Sequence, residues 1–320
     1  TFPFYAFIVL RQTLQAHHLT RPIVATLIAA NVLNVTLNYA WIFGHFGFPA
    51  LGVLGSAWAT LVSRWFMALL LLGVGWQALR PYLHALAPRV LDPRALGRMC
   101  RVGAPIGGQM VLEWGAFGLV GLLMGWLGVL QVAAHQVALN LASLTFMVPM
   151  GIGSAAAVLV GHAVGRGDPD GVRRASVASL AVGAGFMALM ATLFLTVPAA
   201  LAAIYTSSVD VIALAAVLIP IAGLFQIFDG LQVVAMGLLR GLGDTRVPMI
   251  VSIVGFWCVG MPVSLWLAFA RDLGAEGLWW GFVAGLLIVA IVLLARLKRL
   301  EQRELRRIII DEQAHDEITA

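Results

Sequence analysis

The sequence predicts an all-α, polytopic membrane protein, and three observations support this fold class. Hydrophobic residues make up 61% of the chain and charged residues only 11%, whereas a soluble domain carries about a quarter charged residues. The mean hydropathy is +0.95. Several apolar runs exceed the roughly 20 residues that a helix needs to cross a bilayer. A soluble enzyme or a disulfide-stabilised secreted domain does not fit this composition.

The apolar runs predict one partial helix followed by eight complete spans. The partial helix covers about 3–18, and the spans cover about 22–43, 51–79, 100–126, 131–161, 173–197, 210–238, 247–270 and 276–298. Pro22, Gly52, Pro248 and Gly277 lie near starts of spans, where chain-breaking residues are expected. The stretch 80–99 contains three prolines and predicts a linker, and 301–320 predicts a solvated tail.

Basic residues alternate between the connections and predict the orientation of the chain. Of the twenty Lys and Arg residues, eighteen fall in connections on one side or in the tail, Arg271 falls on the other side, and Arg64 falls inside a span. Cytoplasmic loops of membrane proteins carry the excess of Lys and Arg. The basic loops, the linker and the C-terminus are therefore expected in the cytoplasm. This placement also accounts for the net charge of +5 without nucleic acid as a partner.

An internal repeat relates the two halves of the chain. Arg21 and Arg246 each open a span after a threonine and lie 225 residues apart, and Gly52 and Gly277 each follow 31 residues later. Parallel repeats of this kind are typical of transporters. Extending the offset backwards places the start of the first unit before Thr1, so roughly three further helices are expected there.

Two carboxylic acids, Glu113 and Asp229, lie deep inside predicted spans. An acid at the centre of a membrane helix costs about 2.5–3.5 kcal/mol on insertion scales, and such residues often mark ion or proton pathways. Oxygen ligands without Cys or His clusters suit Na⁺ or H⁺ rather than a transition metal. We therefore predict that these acids bind the coupling ion of a transporter, with no other cofactor.

Amides share helix faces with the two acids. Gln109 lies four residues before Glu113, and Gln226 and Gln232 each lie three residues from Asp229. The next span after Glu113 carries Gln136, Asn140 and Ser143 at helical spacing. These faces are expected to point inward or to line a wet cavity together with Phe225. Hydrogen bonding between helices is the alternative role for the amides.

Long motifs around these residues resemble a known transporter family. The Gly103–Ile106 run, Glu113 and the segment 132–167 resemble the seventh and eighth helices of multidrug and toxic compound extrusion (MATE) transporters, and 226–249 resembles their tenth helix. The NorM-like branch is the most similar. The resemblance implies a two-bundle fold from which about the first three helices are missing, so that the chain runs from the end of helix 4 through helix 12.

The same resemblance implies a function and a domain division. It implies that 1–79 is the remainder of the N-terminal bundle, 80–99 a cytoplasmic linker and 100–300 the C-terminal six-helix bundle. It further implies export of organic, often cationic or aromatic compounds, driven by H⁺ or Na⁺ at Glu113 and Asp229. We expect a monomer among lipids of a bacterial-type inner membrane. A lipid-linked oligosaccharide flippase and a transport-inactive fragment are the alternatives; no catalytic motif indicates an enzyme.

Overall fold

The computed structural model describes residues 2–17, 19–80 and 93–301, except for the side chains of residues 94, 95 and 98. Within these ranges the chain is almost entirely helical, and eight helices are long and apolar enough to cross a membrane. The eight correspond one to one to the predicted spans. The all-α, multi-span prediction is confirmed, and contacts divide the chain into a first unit, 1–96, and a second unit, 97–320.

The first unit contains helices α1 (Phe2–Ala16), α2 (Arg21–Phe43), α3 (Val53–Val74) and α4 (Trp76–Leu79). Helix α2 has a proline in its first turn and ends at Gly44, which has a φ of 74°. A positive φ at the end of a helix favours glycine, because glycine has no Cβ to clash with the backbone. A small apolar core of buried side chains holds α1, α2, α3 and α4 together.

The second unit contains the longest helices. In chain order they are α5 (Pro93–Leu127), α6 (Val129–Gly165), α7 (Pro169–Thr196), α8 (Pro198–Ala203), α9 (Val209–Gly241), α10 (Arg246–Ile253), α11 (Met261–Leu265) and α12 (Gly274–Glu301). Helix α5 begins seven residues earlier than predicted, at Pro93, because proline is favoured in the first turn of a helix. Helices α2 and α10 start at Arg21 and Arg246, the two positions that the repeat predicts.

Interior prolines affect the helices of the second unit differently. Helices α6 and α9 continue through Pro149 and Pro220, whereas Pro198 separates α7 from α8. Two π-helical segments, Val254–Gly260 and Trp266–Ala270, flank α11. The span 246–270 therefore stays helical past Pro262, with a change in its hydrogen-bond pattern on either side of α11. Proline removes an intrahelical donor and displaces the helical hydrogen-bond pattern, which a π-helical turn can accommodate.

Helix α9 occupies the centre of the second unit. It packs most extensively against α6 and also contacts α7 and α12. Its residues 215–225 belong to one apolar cluster and its residues 234–242 to another. The short stretch between the two clusters is where α9 carries its polar residues, and it positions the candidate site.

Candidate cation site

Asp229 lies between the two apolar clusters of α9. Its side chain is 6% exposed, and the neighbouring amides Gln226 and Gln232 are fully buried. Among the residues that the structure describes, no hydrogen-bond donor is assigned to the Asp229 carboxyl. A buried polar group without a partner is costly, so this position is suited to a ligand that the carboxyl can bind.

Helix α5 places the second acid next to α9. The side-chain Nε2 of Gln232 donates a hydrogen bond of 3.2 Å to Oε1 of Glu113. Gln232 lies three residues after Asp229, and that spacing places both on the same side of α9. The two acids therefore belong to one polar cluster between α5 and α9. We refer to the two residues Glu113 and Asp229 as the acid pair.

Two further side-chain hydrogen bonds hold α5 in place close to Glu113. Gln109 donates from Nε2 to the sulfur of Met236, one turn beyond Gln232 on α9. Trp257, in the first π-helical segment, donates from its indole Nε1 to the carbonyl of Leu112 at 3.1 Å. These two contacts, at Gln109 and Leu112 in the turn before Glu113, position its carboxylate against α9.

Helix α6 contributes a hydroxyl to the cluster. Thr145 Oγ1 hydrogen-bonds to Oε1 of Gln226. The Nε2 of Gln226 and the Oε1 of Gln232 are buried without a hydrogen-bond partner in the described part of the chain. Polar atoms of this kind are usually satisfied in proteins, so the surroundings of Asp229 retain both donor and acceptor capacity for a bound ion or water.

An aromatic cluster closes one side of the acid pair. The ring of Phe225 packs edge-on against Phe117 and Trp279, at centroid distances of 6.0 and 5.5 Å, and tilts against Phe282 at 6.1 Å. Phe225 is only 2% exposed. It is therefore packed among aromatic rings one turn before Asp229 in this structure, and its role as a cavity-lining residue stays a prediction. Its large ring packs better against other aromatic rings than against water.

The structure brings together five of the predicted polar residues, whereas three residues of α6, namely Gln136, Asn140 and Ser143, lie outside this cluster. Gln109, Glu113, Gln226, Asp229 and Gln232 form the cluster described above. Gln136 and Asn140 instead lie on an exposed side of α6, where the Asn140 amide donates to the Gln136 carbonyl at 2.8 Å. Their role as cavity-lining residues stays a prediction.

Three residues of the cluster were not predicted from the sequence. Thr145 and Met236 occupy ordinary positions in apolar runs, and Trp257 is 145 residues from its acceptor, Leu112. Neither residue type nor spacing distinguishes them from core residues. Helical spacing from Gln232 does place Met236 on the right face, and this is the one signal that could have found it.

Comparisons with known proteins agree with the fold and with the motifs. The MatE family model matches residues 105–266, which include both acids. The multidrug resistance protein NorM of Burkholderia vietnamiensis is 42% identical over 82% of this chain, and a probable NorM of Rhizobium meliloti is 40% identical over 94%. The chain spans 57% and 66% of the lengths of these two relatives.

Solved structures of MATE transporters have the same fold. A eukaryotic MATE transporter, AtDTX14, superposes with a TM-score of 0.77 at 22% identity, over 92% of this chain and 67% of that one. A variant of the Vibrio cholerae transporter VcmN superposes with a TM-score of 0.79 at 19% identity, over 93% and 67% of the two chains. At these identities the likeness shows the fold alone.

Proposed function

The chain belongs to the MatE family of membrane transporters, and on that premise we propose that it forms part of a cation-driven exporter of small organic compounds. In this proposal Glu113 and Asp229 hold the coupling cation, which is H⁺ or Na⁺. The observation that carries the proposal is the acid pair itself: two carboxyls in different spans, of which Glu113 accepts a hydrogen bond from Gln232, one turn after Asp229 on α9.

The acid pair supplies a physical means of coupling. Two nearby carboxylates repel each other and lack water in a membrane interior, and a bound cation removes both costs. Occupied and empty forms therefore differ in local charge and hydration. If one of the two open states of a transporter binds the cation more tightly than the other, a cation gradient shifts the equilibrium between them. That shift can drive a second solute uphill.

The exposed amides of α6 support a substrate pathway along this helix. Gln136 and Asn140 project from a membrane helix without being buried in the described structure. Polar side chains in contact with lipid are costly, so an exposed polar side of a span suits a water-lined path. We propose that these amides contact the exported compound, an organic molecule that is often cationic or aromatic.

The relatives and the distribution of basic residues support a location and an orientation in the membrane. The NorM proteins matched here come from bacteria, and we propose that the chain resides in a bacterial inner membrane. The excess of basic residues in one set of loops supports a cytoplasmic C-terminus. We expect a monomer surrounded by lipid.

Neutral amides in place of the acids test the proposal. In the full-length product of the gene that encodes this chain, we expect Glu113→Gln and Asp229→Asn each to reduce gradient-driven efflux about tenfold or more, within the range of typical coupling free energies. An amide keeps the size of the carboxyl but cannot change charge when a cation binds. Efflux of a fluorescent organic cation from vesicles, under an imposed pH or Na⁺ gradient, is the measurement.

Asp170→Asn is the matched control. Asp170 is an exposed acid in the first turn of α7, outside the cluster, so this variant removes one negative charge without touching the acid pair. It should export at the parental rate. Parental rates in both acid variants would show that Glu113 and Asp229 are not the coupling site, provided that all three proteins reach the membrane in equal amounts.

A further inference from the structure

Arg240 lies on the same face of α9 as Asp229, toward the end of the helix. Eleven residues separate the two, which is about three turns at 3.6 residues per turn, so both side chains leave the helix on one side. Gln232 and Met236 lie between them on this face. Asp229, Gln232, Met236 and Arg240 therefore form a continuous line along α9.

Helix α5 follows the same line from the opposite direction. Gln232 contacts Glu113, and Met236, one turn further along α9, contacts Gln109, one turn earlier along α5. Arg240 lies one turn beyond Met236 on α9, and Pro105 lies one turn before Gln109 on α5. Arg240 and Pro105 are therefore expected at the same level. Pro105 has no backbone N–H, so the carbonyl of Arg101 four residues earlier loses its helical donor. Arg240 therefore lies at the level of the Pro105 turn of α5, on the side of α9 that faces Glu113.

The Arg240 guanidinium has no fixed partner in the described structure. Its Nε is buried without a hydrogen bond, and no described carboxylate lies within ion-pair distance. The nearest acid along the chain, Asp244, is already engaged: its Oδ2 accepts from Arg296 at 2.9 Å and its Oδ1 accepts from the Val247 N–H at 3.3 Å. Arg240 and Glu113 carry opposite charges on the facing sides of α9 and α5, and opposite charges at short range attract each other.

We propose that Arg240 is the resident countercharge of the acid pair, competing with the coupling cation for Glu113. This inference rests on the proposed function and adds a residue to the same site. When the cation leaves, Arg240 stabilises the negative charge that remains on Glu113. When a cation binds, the attraction is lost and the two positive charges repel. Arg240 thereby lowers the affinity of the site for its cation and favours release.

The side chains that lie between Arg240 and Glu113 allow Arg240 and the cation to alternate as partners of Glu113. Arg240 lies about two helical turns beyond Gln232 on α9, and Gln109, Gln232 and Met236 lie between the two groups on this face. Side chains lean toward the N-terminus of their own helix, so Arg240 and Glu113, on helices that run in opposite directions, lean toward each other. Methionine is unbranched and adapts its rotamers readily. A change in the rotamer of Met236 would therefore make room between Arg240 and Glu113.

Cation titration of arginine variants tests the proposal. Trp257 bonds to α5 one residue before Glu113, so intrinsic tryptophan fluorescence of the purified full-length protein should report cation binding. We measure the Na⁺ concentration that half-saturates this signal at constant ionic strength, and separately the response to H⁺ without Na⁺. We expect Arg240→Gln to lower the half-saturating concentration of the coupling cation about threefold to tenfold, in the range of typical coupling energies.

Three controls make the result specific. Arg166→Gln removes one exposed positive charge from the α6–α7 connection, and it should leave the half-saturating concentration unchanged. Arg240→Lys keeps the charge and should stay near the parent. In a Glu113→Gln background, Arg240→Gln should have no further effect, since the attraction that it removes is already absent.

The outcomes separate this inference from the proposed function. An unchanged half-saturating concentration in Arg240→Gln, or an equal effect of Lys and Gln at this position, overturns the role of Arg240 and leaves the acid pair intact. A parent without any cation-dependent signal, together with gradient-independent efflux, overturns the proposed function instead. Arg240→Gln could also lower the half-saturating concentration by the same factor in the Glu113→Gln background as in the parent. That result would show a general change in surface charge, and it would also overturn the inference.

Discussion

Asp244 joins two helices through a single carboxylate. One oxygen caps the start of α10 at Val247, and the other pairs with Arg296 on α12. Asp244 is 8% exposed at the side chain, and Arg296 is 34% exposed. A pair of this kind is screened less than a surface ion pair, which usually contributes about 0–1 kcal/mol. The contact connects the segment that follows α9, the helix that carries Asp229, to α12.

Loss of this ion pair should destabilise the protein measurably. We expect Arg296→Gln to lower the free energy of unfolding by about 1–2 kcal/mol, because a buried carboxylate loses a charged donor. Asp244→Asn should cost a similar amount, and the double variant should cost little more than either single variant, since both remove one shared interaction. Thermal unfolding in detergent, followed by tryptophan fluorescence, is the measurement.

The control for this prediction lies one turn along the same helix. Arg299 is exposed and carries the same charge, so Arg299→Gln should unfold at the parental temperature. Equal unfolding temperatures for Arg296→Gln and Arg299→Gln would show that the ion pair contributes nothing to stability. Additive losses in the double variant would show that Asp244 and Arg296 act separately.

Individual site residues could be predicted from the sequence where their cost in a membrane is high. Glu113 and Asp229 stand out because a carboxyl in an apolar span needs a reason to be there, and Gln109 and Gln232 follow from helical spacing. Arg240 was interpreted only as a loop charge that fixes orientation. Its alignment with Asp229 becomes meaningful once the partner face of α5 is known, and no single-chain pattern gives the pairing of two helices.

At the scale of elements, glycines set the distance between α6 and α9. A Cβ on Gly237 would approach the carbonyl oxygen of Gly153 to 2.1 Å, and this is backbone that cannot rotate away. Small residues allow membrane helices to approach closely, and packing then stabilises the pair. Gly237 lies two turns after Asp229, so the close approach also holds the acid pair against α6.

A methyl group at position 237 should therefore destabilise the second unit. In a free helix, Gly→Ala is favourable by about 1 kcal/mol, but here the added carbon has no space. We expect Gly237→Ala to lower the free energy of unfolding by about 1–3 kcal/mol, as overpacked cores do. Unfolding midpoints in detergent should fall, and efflux should fall with them because α9 shifts relative to α6.

Gly161, on the same helix as Gly153, provides a matched control. A Cβ there meets its nearest neighbour, the carbonyl oxygen of Gly241, at 3.9 Å, which is ordinary contact. Gly161→Ala should leave the midpoint unchanged or raise it slightly. If Gly237→Ala were as stable as Gly161→Ala, the two helices would not be limited by backbone contact at Gly153.

The elements themselves were largely predictable from hydropathy, and their internal irregularities were not. All eight spans appear where the apolar runs lie, because backbone groups in lipid must be satisfied within the helix. The passage of α6 through Pro149 and the π-helical turns beside α11 depend on neighbours that replace the lost hydrogen bonds. The sequence shows the proline but not the neighbour.

At the scale of the whole chain, the distribution of basic residues is the strongest indicator of orientation. Eighteen of twenty Lys and Arg residues fall on one predicted side. The α6–α7 connection and the first turns of α7 carry Arg166, Arg173 and Arg174, whereas the α8–α9 connection, 204–208, carries no Lys or Arg. These two connections lie at opposite ends of α7 and therefore offer a direct test.

Single-cysteine labelling should place the two connections on opposite sides of the membrane. Cys100 and Cys258 are both exposed, so they are first replaced by alanine. Single cysteines then replace Ser207, before α9, and Asp170, at the start of α7; both positions are exposed. An impermeant maleimide added to intact cells should label position 207 and not position 170, because Lys and Arg are retained on the cytoplasmic side. Position 170 should react once the membrane is permeabilised, which shows that its thiol is accessible. The opposite labelling pattern would show that the orientation of the chain is inverted. Arg240 and its end of α9 would then lie on the outer side of the membrane, and Arg240 would act on cation entry rather than on cation release.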